Sequence, residues 1–130
     1  MNKGKKIGYI RVSTIDQNPE RQLDGIKLDK RFIDFCSGTT IDRPALKQML
    51  EYVREDDVVL VHSMDRLGRQ LKDILDLCEF FLKNGIQLEF VKEGLKFTGN
   101  DDPMSRCILM IFGAVAEFEH SLIRERQREG

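Results

Sequence analysis

The chain has 130 residues, of which 41% are hydrophobic and 33% charged, and this length and balance predict one soluble domain with its own hydrophobic core. A formal net charge of −1 at pH 7 excludes a general positive field, so any binding to a polyanion must come from locally grouped arginines. There is no signal peptide and no apolar run long enough to span a membrane, and the three cysteines lack metal-ligand spacing, as is typical of a cytoplasmic protein.

The first predicted strand, Ile7–Val12, ends in polar residues. Side chains alternate between the two faces of a strand, so Tyr9, Arg11 and Ser13 share one face. A guanidinium and a hydroxyl therefore stand side by side where the strand ends. This pair is the first candidate for a functional site.

Along the rest of the chain, apolar runs rich in strand-forming residues alternate with helical patterns. The predicted strands are Ile7–Val12, Phe32–Phe35, Val58–Val61 and Ile86–Val91. The predicted helices are near Glu20–Leu28, Pro44–Arg54 and Leu71–Lys83. This alternation implies right-handed crossovers, and it predicts an α/β fold with a largely parallel central sheet and helices on both faces.

Two of these helices have end signals. Asp42 lies two residues before Pro44, which favours Asp42 as the N-terminal cap of the second helix. Asn84 and Gly85 close the third helix, because glycine is preferred just after a helix end.

The last segment is predicted to be one long helix from about Met104 towards Arg128. Its middle, Cys107–Ala116, is apolar all round, whereas a surface helix needs only one apolar stripe. One side should therefore pack on the sheet, and the rest should meet the same helix of a second subunit. Full burial within one chain is the alternative. The charged end, "RERQREG", is typical of a helix that continues, which favours a fragment of a longer protein.

Ligands of open α/β sheets bind beyond the carboxyl ends of the strands. Three such ends carry arginine or serine here, in the segments "RVS", "CSGTTIDR" and "HSMDRLGR". The sequence predicts that one rim of the sheet brings together Arg11, Ser13, Ser37, Arg43, Arg66 and Arg69.

This set of residue types is typical of a phosphate site. Arginine forks match phosphate oxygens bidentately, and Arg66 and Arg69 are three residues apart, so one helical turn would place both on one face. A serine beside several arginines can act as a nucleophile at phosphorus, because the guanidinium groups lower its pKa and stabilise the developing charge.

Other interpretations compete with a phosphate site. Ser13, His62 and Asp65 invite a hydrolase triad, but Ser13 lacks the G-x-S-x-G turn. Asp34 and Asp65 are the only carboxylates near strand ends, which is too few for a metal nuclease. Asp65 and its neighbouring arginines would also make an ordinary surface ion-pair cluster. Each motif alone favours such a reading, and their coincidence at consecutive strand ends favours the phosphate site.

The segments "YIRVSTIDQ", "RQL", "SGTTIDRP", "MDRLGR" and "AEFEHSLIRERQREG" follow one another across essentially the whole chain. In this order they resemble the catalytic domain of the serine recombinases, the resolvase/invertase family. The resemblance implies a site-specific DNA recombinase in which Ser13 attacks a DNA phosphodiester, becomes linked to the 5′ phosphate and frees a 3′ hydroxyl. We predict no metal and no other cofactor, because the proposed pocket has no paired carboxylates and the chain has no phosphate-binding glycine-rich loop.

The resemblance also implies roles for individual residues. Those around the scissile phosphate are Arg11, Arg66 and Arg69, supported by Gln17, Arg43 and Asp65, with Gln22 and Ser37 nearby. The long helix corresponds to the family's dimerisation helix, whose charged end lies on DNA near the cut, and its candidate DNA contacts are His120, Arg124 and Arg126. The family usually has an arginine at the position of His120, and histidine is mostly neutral at pH 7.

The implied partners are a double-stranded DNA recombination site and further copies of the chain, as a homodimer and as a tetramer of two dimers. Residues 1–102 would form the α/β catalytic domain and residues 103–130 the interface helix of the same domain, without the family's helix-turn-helix DNA-binding domain. The expected location is the bacterial cytosol or nucleoid. Two other functions stay open: a regulatory assembly module without chemistry, and a phosphoesterase for small phosphates.

Overall fold

A computed structural model describes residues 4–12, 23, 25–35, 43–68, 70–99 and 102–129, except for the side chains of residues 120, 128 and 129. In this part of the chain, five strands form one sheet in the order β2-β1-β3-β4-β5. The strands are β1 (Lys6–Val12), β2 (Lys30–Phe35), β3 (Val58–Val61), β4 (Gln87–Phe90) and β5 (Leu95–Phe97). The helices are α1 (Pro44–Tyr52), α2 (Met64–Leu67), α3 (Leu71–Lys83) and α4 (Pro103–Glu129).

The first four strands run parallel, and β5 is antiparallel to β4. The predicted α/β class and the largely parallel sheet are therefore confirmed. The sequence did not predict β5, because three residues are too few to show alternation. A turn containing Gly94, with a φ of +69°, reverses the chain before it.

One face of the sheet carries the main core. Tyr9 lies opposite Phe32 on β2 and opposite Val61 on β3, and all three are buried. α3 packs on this face through Ile74 and Cys78, which are four residues apart and so lie on the same side of the helix. α1 and α4 contribute to the same cluster, so the described helices share this face.

The described residues of the crossover between β1 and β2 pack on the opposite face. Leu23 packs there on Ile10 and Val12, and a Cβ at Gly8 would lie 2.6 Å from a methyl group of Leu28. The helix predicted near Glu20–Leu28 does not reach its predicted end: Gly25 has a φ of +82°, and residues 26–28 are not helical. Residues 20–22 and 24 lie outside the described part of the chain.

The end of α3 agrees with its prediction. Gly85 has a φ of +74° and donates its N–H to the carbonyl of Leu82, and Ile86 donates to Phe81 at 2.8 Å. These two bonds satisfy carbonyls that the helix end leaves unpaired.

The start of α1 differs from its prediction. Its N-cap residue is Arg43, not Asp42, and the Arg43 side chain makes no capping bond. The carboxylate of Asp34, at the end of β2, instead accepts the N–H groups of Ala45 and Leu46 at 2.9 and 3.0 Å. A cap from a neighbouring strand fixes the start of α1 against the sheet.

One side of α4 packs on the core and another lies in solvent. Phe112 contacts Phe97, with ring centroids 6.2 Å apart. An exposed stripe is formed by Met104, Ile111, Val115 and Phe118, whose side chains are 41–64% exposed. Full burial of α4 within one chain is therefore wrong. Among the described helices, none is long and apolar enough to cross a membrane.

Candidate active site

The predicted rim of arginines lies where the strand order reverses. β2 lies on one side of β1, and β3 lies on the other, so the chain changes direction between β1 and β3. Arg11 lies near the carboxyl end of β1, and Asp65 and Arg66 lie in α2, just beyond β3. Crevices of this kind, at the switch point of an open α/β sheet, are the usual place for a ligand.

Arg11 and Arg66 hold the two strand ends together. Arg11 is only 7% exposed, and its Nη2 donates to the carbonyl of Asp65 at 2.8 Å while its Nε donates to the carbonyl of Arg66 at 3.2 Å. In return, Nη1 of Arg66 donates to the carbonyl of Arg11 at 3.2 Å. The planar guanidinium of Arg11 thereby fixes two consecutive peptides of α2.

Asp65 presents a carboxylate beside these two arginines. The hydroxyl of Ser63 donates to its Oδ1 at 2.5 Å. This hydrogen bond, and then the guanidinium groups of Arg66 and Arg11, lower the pKa of the Asp65 carboxyl below its ordinary value, against the opposing effect of partial burial. Asp65 is therefore ionised at neutral pH.

Arg43 reaches the same region from the start of α1. It is 8% exposed, its Nη1 donates to the carbonyl of Leu67, and its guanidinium carbon lies 6.0 Å from the centre of the Tyr9 ring. Leu67 is the last residue of α2, so its carbonyl has no partner within the helix. Arg43 thus joins the start of α1 to the end of α2, and three arginines meet around one short helix.

Asp34 stabilises the elements that position the site. It is 3% exposed, and besides capping α1 it accepts the hydroxyl of Tyr9 at 2.8 Å. Both of its oxygens are thus engaged, so it does not pair with Asp65 as a metal ligand. Within the described residues, no group of three or more histidine, cysteine, aspartate or glutamate side chains is arranged to hold a metal ion.

The expected helical turn through Arg66 and Arg69 is wrong. α2 ends at Leu67, and Gly68 has an extended backbone, with φ −167° and ψ 159°. The bond from Arg43 to the last carbonyl of α2 replaces the bond that a continued helix would make.

The structure brings together Arg11, Arg43, Asp65 and Arg66, and it places Arg124 and Arg126 as exposed residues of α4. The remaining candidates lie outside the described part of the chain: Ser13, Gln17, Gln22, Ser37, Arg69 and the side chain of His120.

The sequence interpretation missed three supporting residues: Tyr9, Ser63 and Glu93. The last accepts the N–H of Met64 at 3.1 Å, at the start of α2. A signal was available for Asp34 and its partner Tyr9, because an aspartate inside an apolar strand needs a buried partner. Nothing local marked Ser63 or Glu93.

Comparison with known proteins gives a consistent result. The family described as "Resolvase, N terminal domain" matches residues 6–130. The Transposon Tn21 resolvase of Escherichia coli is 54% identical over 127 residues, which cover 98% of this chain and 68% of that protein. The serine recombinase gin of Escherichia phage Mu is 36% identical over 127 residues, covering 95% of this chain and 64% of that protein.

Solved structures agree with the sequence matches. A resolvase family site-specific recombinase from Streptococcus pneumoniae superimposes with a TM-score of 0.74 at 25% identity, covering 98% of this chain and 95% of that one. The N-terminal catalytic domain of TP901-1 integrase gives a TM-score of 0.70 at 29% identity, covering 91% and 98%. The chain therefore belongs to the resolvase family of serine recombinases, which are site-specific DNA recombinases.

Proposed function

We propose that this recombinase cuts and rejoins DNA with Ser13 as its nucleophile. The Oγ of Ser13 attacks a phosphodiester, so that an Oγ–P bond forms and the P–O3′ bond breaks. The proton of the serine passes to the departing 3′ oxygen, which becomes a free 3′ hydroxyl, and the DNA 5′ phosphate stays on the protein. Attack by a 3′ hydroxyl of another strand reverses the step and reseals the DNA.

The observation that carries this proposal is the exchange of hydrogen bonds between Arg11 and Arg66 across the switch point. It fixes two cations at the end of β1, two residues before Ser13 in the sequence. Bonds to carbonyl groups do not cancel the charge of a guanidinium, so the clamp can also stabilise the charge that develops on phosphorus. Arg69, Gln17, Gln22 and Ser37 are proposed as further contacts on the basis of family resemblance.

Asp65 is proposed as a charge partner for the arginines. Its lowered pKa keeps it ionised at neutral pH, so it cannot donate a proton to the departing 3′ oxygen there. A fixed carboxylate beside Arg11 and Arg66 can orient both guanidinium groups. Arg43 is proposed to act through α2, since it binds the last carbonyl of that helix.

The exposed apolar stripe of α4 is proposed as the surface that pairs with a second copy of the chain. We further propose that two dimers form a tetramer on two DNA sites, and that Arg124, Arg126 and His120 contact DNA near the cut. In this division, residues 1–102 form the catalytic domain and residues 103–130 its interface helix. The bacterial cytosol or nucleoid is the proposed location.

A suicide-substrate assay tests the chemistry. A nicked recombination site that traps the cleaved strand is incubated with the protein in excess EDTA, and the DNA-linked peptide is mapped by mass spectrometry. We expect an adduct on Ser13 through a 5′ phosphate, and no adduct with Ser13→Ala, which should still assemble normally. A regulatory assembly module would give no adduct at all. Cleavage that stops in EDTA, or an adduct on another residue, would falsify the mechanism.

A further inference from the structure

Ser63 makes an unusual bond for its position. It is the N-cap residue of α2, it has an extended backbone, and it is 3% exposed. A serine at an N-cap normally accepts an N–H of the first helical turn. The Ser63 side chain makes no such bond, and its hydroxyl instead donates to Oδ1 of Asp65.

Two N–H groups in the first turn of α2 bind acceptors other than the Ser63 hydroxyl, so that hydroxyl is available to bind Asp65. The N–H of Met64 donates to Oε2 of Glu93, in the turn after β4, at 3.1 Å. The N–H of Arg66 donates to the main-chain carbonyl of Ser63, also at 3.1 Å. Glu93 therefore accepts one N–H of this turn and the Ser63 carbonyl accepts another, while the Ser63 hydroxyl accepts neither.

We propose that Ser63 is a positioning residue of the recombination site, whose hydroxyl holds the Asp65 carboxylate in one orientation beside Arg11 and Arg66. A donor directed at one carboxylate oxygen restricts the rotation of that side chain. The same residue, Asp65, gives its main-chain carbonyl to Arg11 at 2.8 Å. Ser63 thus steadies both the carboxylate and the peptide that holds Arg11.

The proposal has a consequence for the pH dependence. The charged groups that act on the Asp65 carboxylate in the described part of the chain are Arg66 of α2 and Arg11 of β1. Glu93, in the turn after β4, binds the N–H of Met64 at the start of α2. The bond from Ser63 is the first cause of the lowered Asp65 pKa, and the two guanidinium groups act in the same direction. Removing the hydroxyl should therefore raise the Asp65 pKa, because the largest cause that lowers it is lost while the opposing effect of burial remains.

The direct test is a ¹³C NMR titration of the aspartate carboxyl carbons in the full chain. Ser63→Ala should move the titration midpoint of Asp65 to higher pH. Ser63→Thr, which keeps the hydroxyl, should leave it near the unchanged protein's value. Single-turnover DNA cleavage, a readout that rests on the proposed function, should lose activity on the acid side at a higher pH in Ser63→Ala than in Ser63→Thr.

Two variants sharpen the test. Ser105→Ala removes a matching bond, from Ser105 Oγ to Asp102 Oδ2 at 2.7 Å, at the start of α4. It should raise the midpoint of Asp102 and leave that of Asp65 unchanged. Ser63→Gly also removes the hydroxyl, and glycine is tolerated at an N-cap, so this variant decides the question if Ser63→Ala does not fold.

An unchanged Asp65 midpoint in the folded hydroxyl-less variants would overturn the role of Ser63. The NMR titration does not depend on the proposed DNA cleavage by Ser13. If the unchanged protein forms no adduct on Ser13, the proposed function fails, but the NMR titration still decides whether Ser63 holds Asp65.

Discussion

At the scale of single residues, the site depends on guanidinium groups that bind the main chain. Arg11 and Arg66 each donate to the other's main-chain carbonyl, and Arg43 donates to the last carbonyl of α2. A lysine would supply the charge but not the planar fork that makes such bonds in fixed directions. The arginines therefore fix the geometry of the site as well as its charge.

Arg66→Ala should slow single-turnover DNA cleavage by roughly 10²–10³-fold, because removing one preorganised donor typically costs about 3–4 kcal/mol. Arg66→Lys should recover little of the rate. Arg31→Ala, which removes an exposed arginine at the start of β2, is the matched control and should cleave at the normal rate. An Arg66→Lys variant with nearly full activity would show that charge alone is sufficient.

Asp34→Ala should lower the free energy of unfolding by roughly 3 kcal/mol or more in urea titrations. The change leaves the Tyr9 hydroxyl and two N–H groups of α1 without their buried acceptor. Asp29→Ala is the control, because Asp29 accepts one exposed bond from the Lys6 N–H, and it should cost less than about 1 kcal/mol. Equal losses for the two variants would contradict the buried cap.

The sequence correctly predicted that Arg11, Arg43 and Arg66 lie at one rim of the sheet, because parallel strands end at one edge. Asp65 entered the prediction through the family resemblance. The sequence did not predict the role of Asp34, since Ala45 is 11 residues away and nothing local links the two. The bond between Ser63 and Asp65 spans only two residues, but an N-cap serine usually bonds the main chain, so the spacing alone does not indicate this partner.

At the scale of elements, length decided what could be predicted. β3 and α3 have the predicted bounds, because a buried β-branched run and a thirteen-residue amphipathic pattern are unambiguous. α2 and β5 have four and three residues, which is too short to show a helical or a strand periodicity reliably. The wrong helical turn through Arg66 and Arg69 has the same origin, since Gly68 ends α2 early.

The start of α4 should show a pH dependence of its own. Ser105 and then Thr98 donate hydrogen bonds to Asp102 and lower the pKa of its carboxyl below the ordinary value of 3.8. The ionised form is thus favoured in the folded state, so its stabilising effect is fully present above pH 3.8 and is lost as the pH falls through the folded-state pKa.

The free energy of unfolding, measured by urea titration at several acid pH values, should fall as the pH falls. In Asp102→Asn this fall should be smaller than in the wild-type protein. Ser105→Ala should flatten it in the same direction, because it removes the principal donor. A variant whose acid decline matches that of the unchanged protein would show that Asp102 does not carry this effect.

At the scale of the whole molecule, the alternation of strands and helices was sufficient to predict the parallel sheet. It was not sufficient to place the switch point, since the order of strands is set by long-range pairing. The apolar run of α4 likewise predicted that the helix needs a cover, but not which side chains pack inside. Phe112 lies within that run, yet it contacts Phe97 and the core.

Phe118→Asp should shift the protein from dimer towards monomer in sedimentation at micromolar concentration, because Phe118 is 62% exposed and belongs to the apolar stripe. Its unfolding should be little affected. Phe112→Asp is the contrasting variant and should lose folding stability, since its ring packs inside. If the wild-type protein stays monomeric at high concentration, the stripe does not mediate self-association.

The proposed pairing through the exposed stripe of α4 would tie recombination to the abundance of the protein. If two copies must meet before either site is complete, the population of competent dimers rises with the square of the free chain concentration at low abundance. A tetramer of two dimers depends on the square of the dimer population, and so on the fourth power of the free chain concentration. A cell that makes half as much of this chain would then lose much more than half of its recombination, so expression level would act as a threshold on DNA rearrangement.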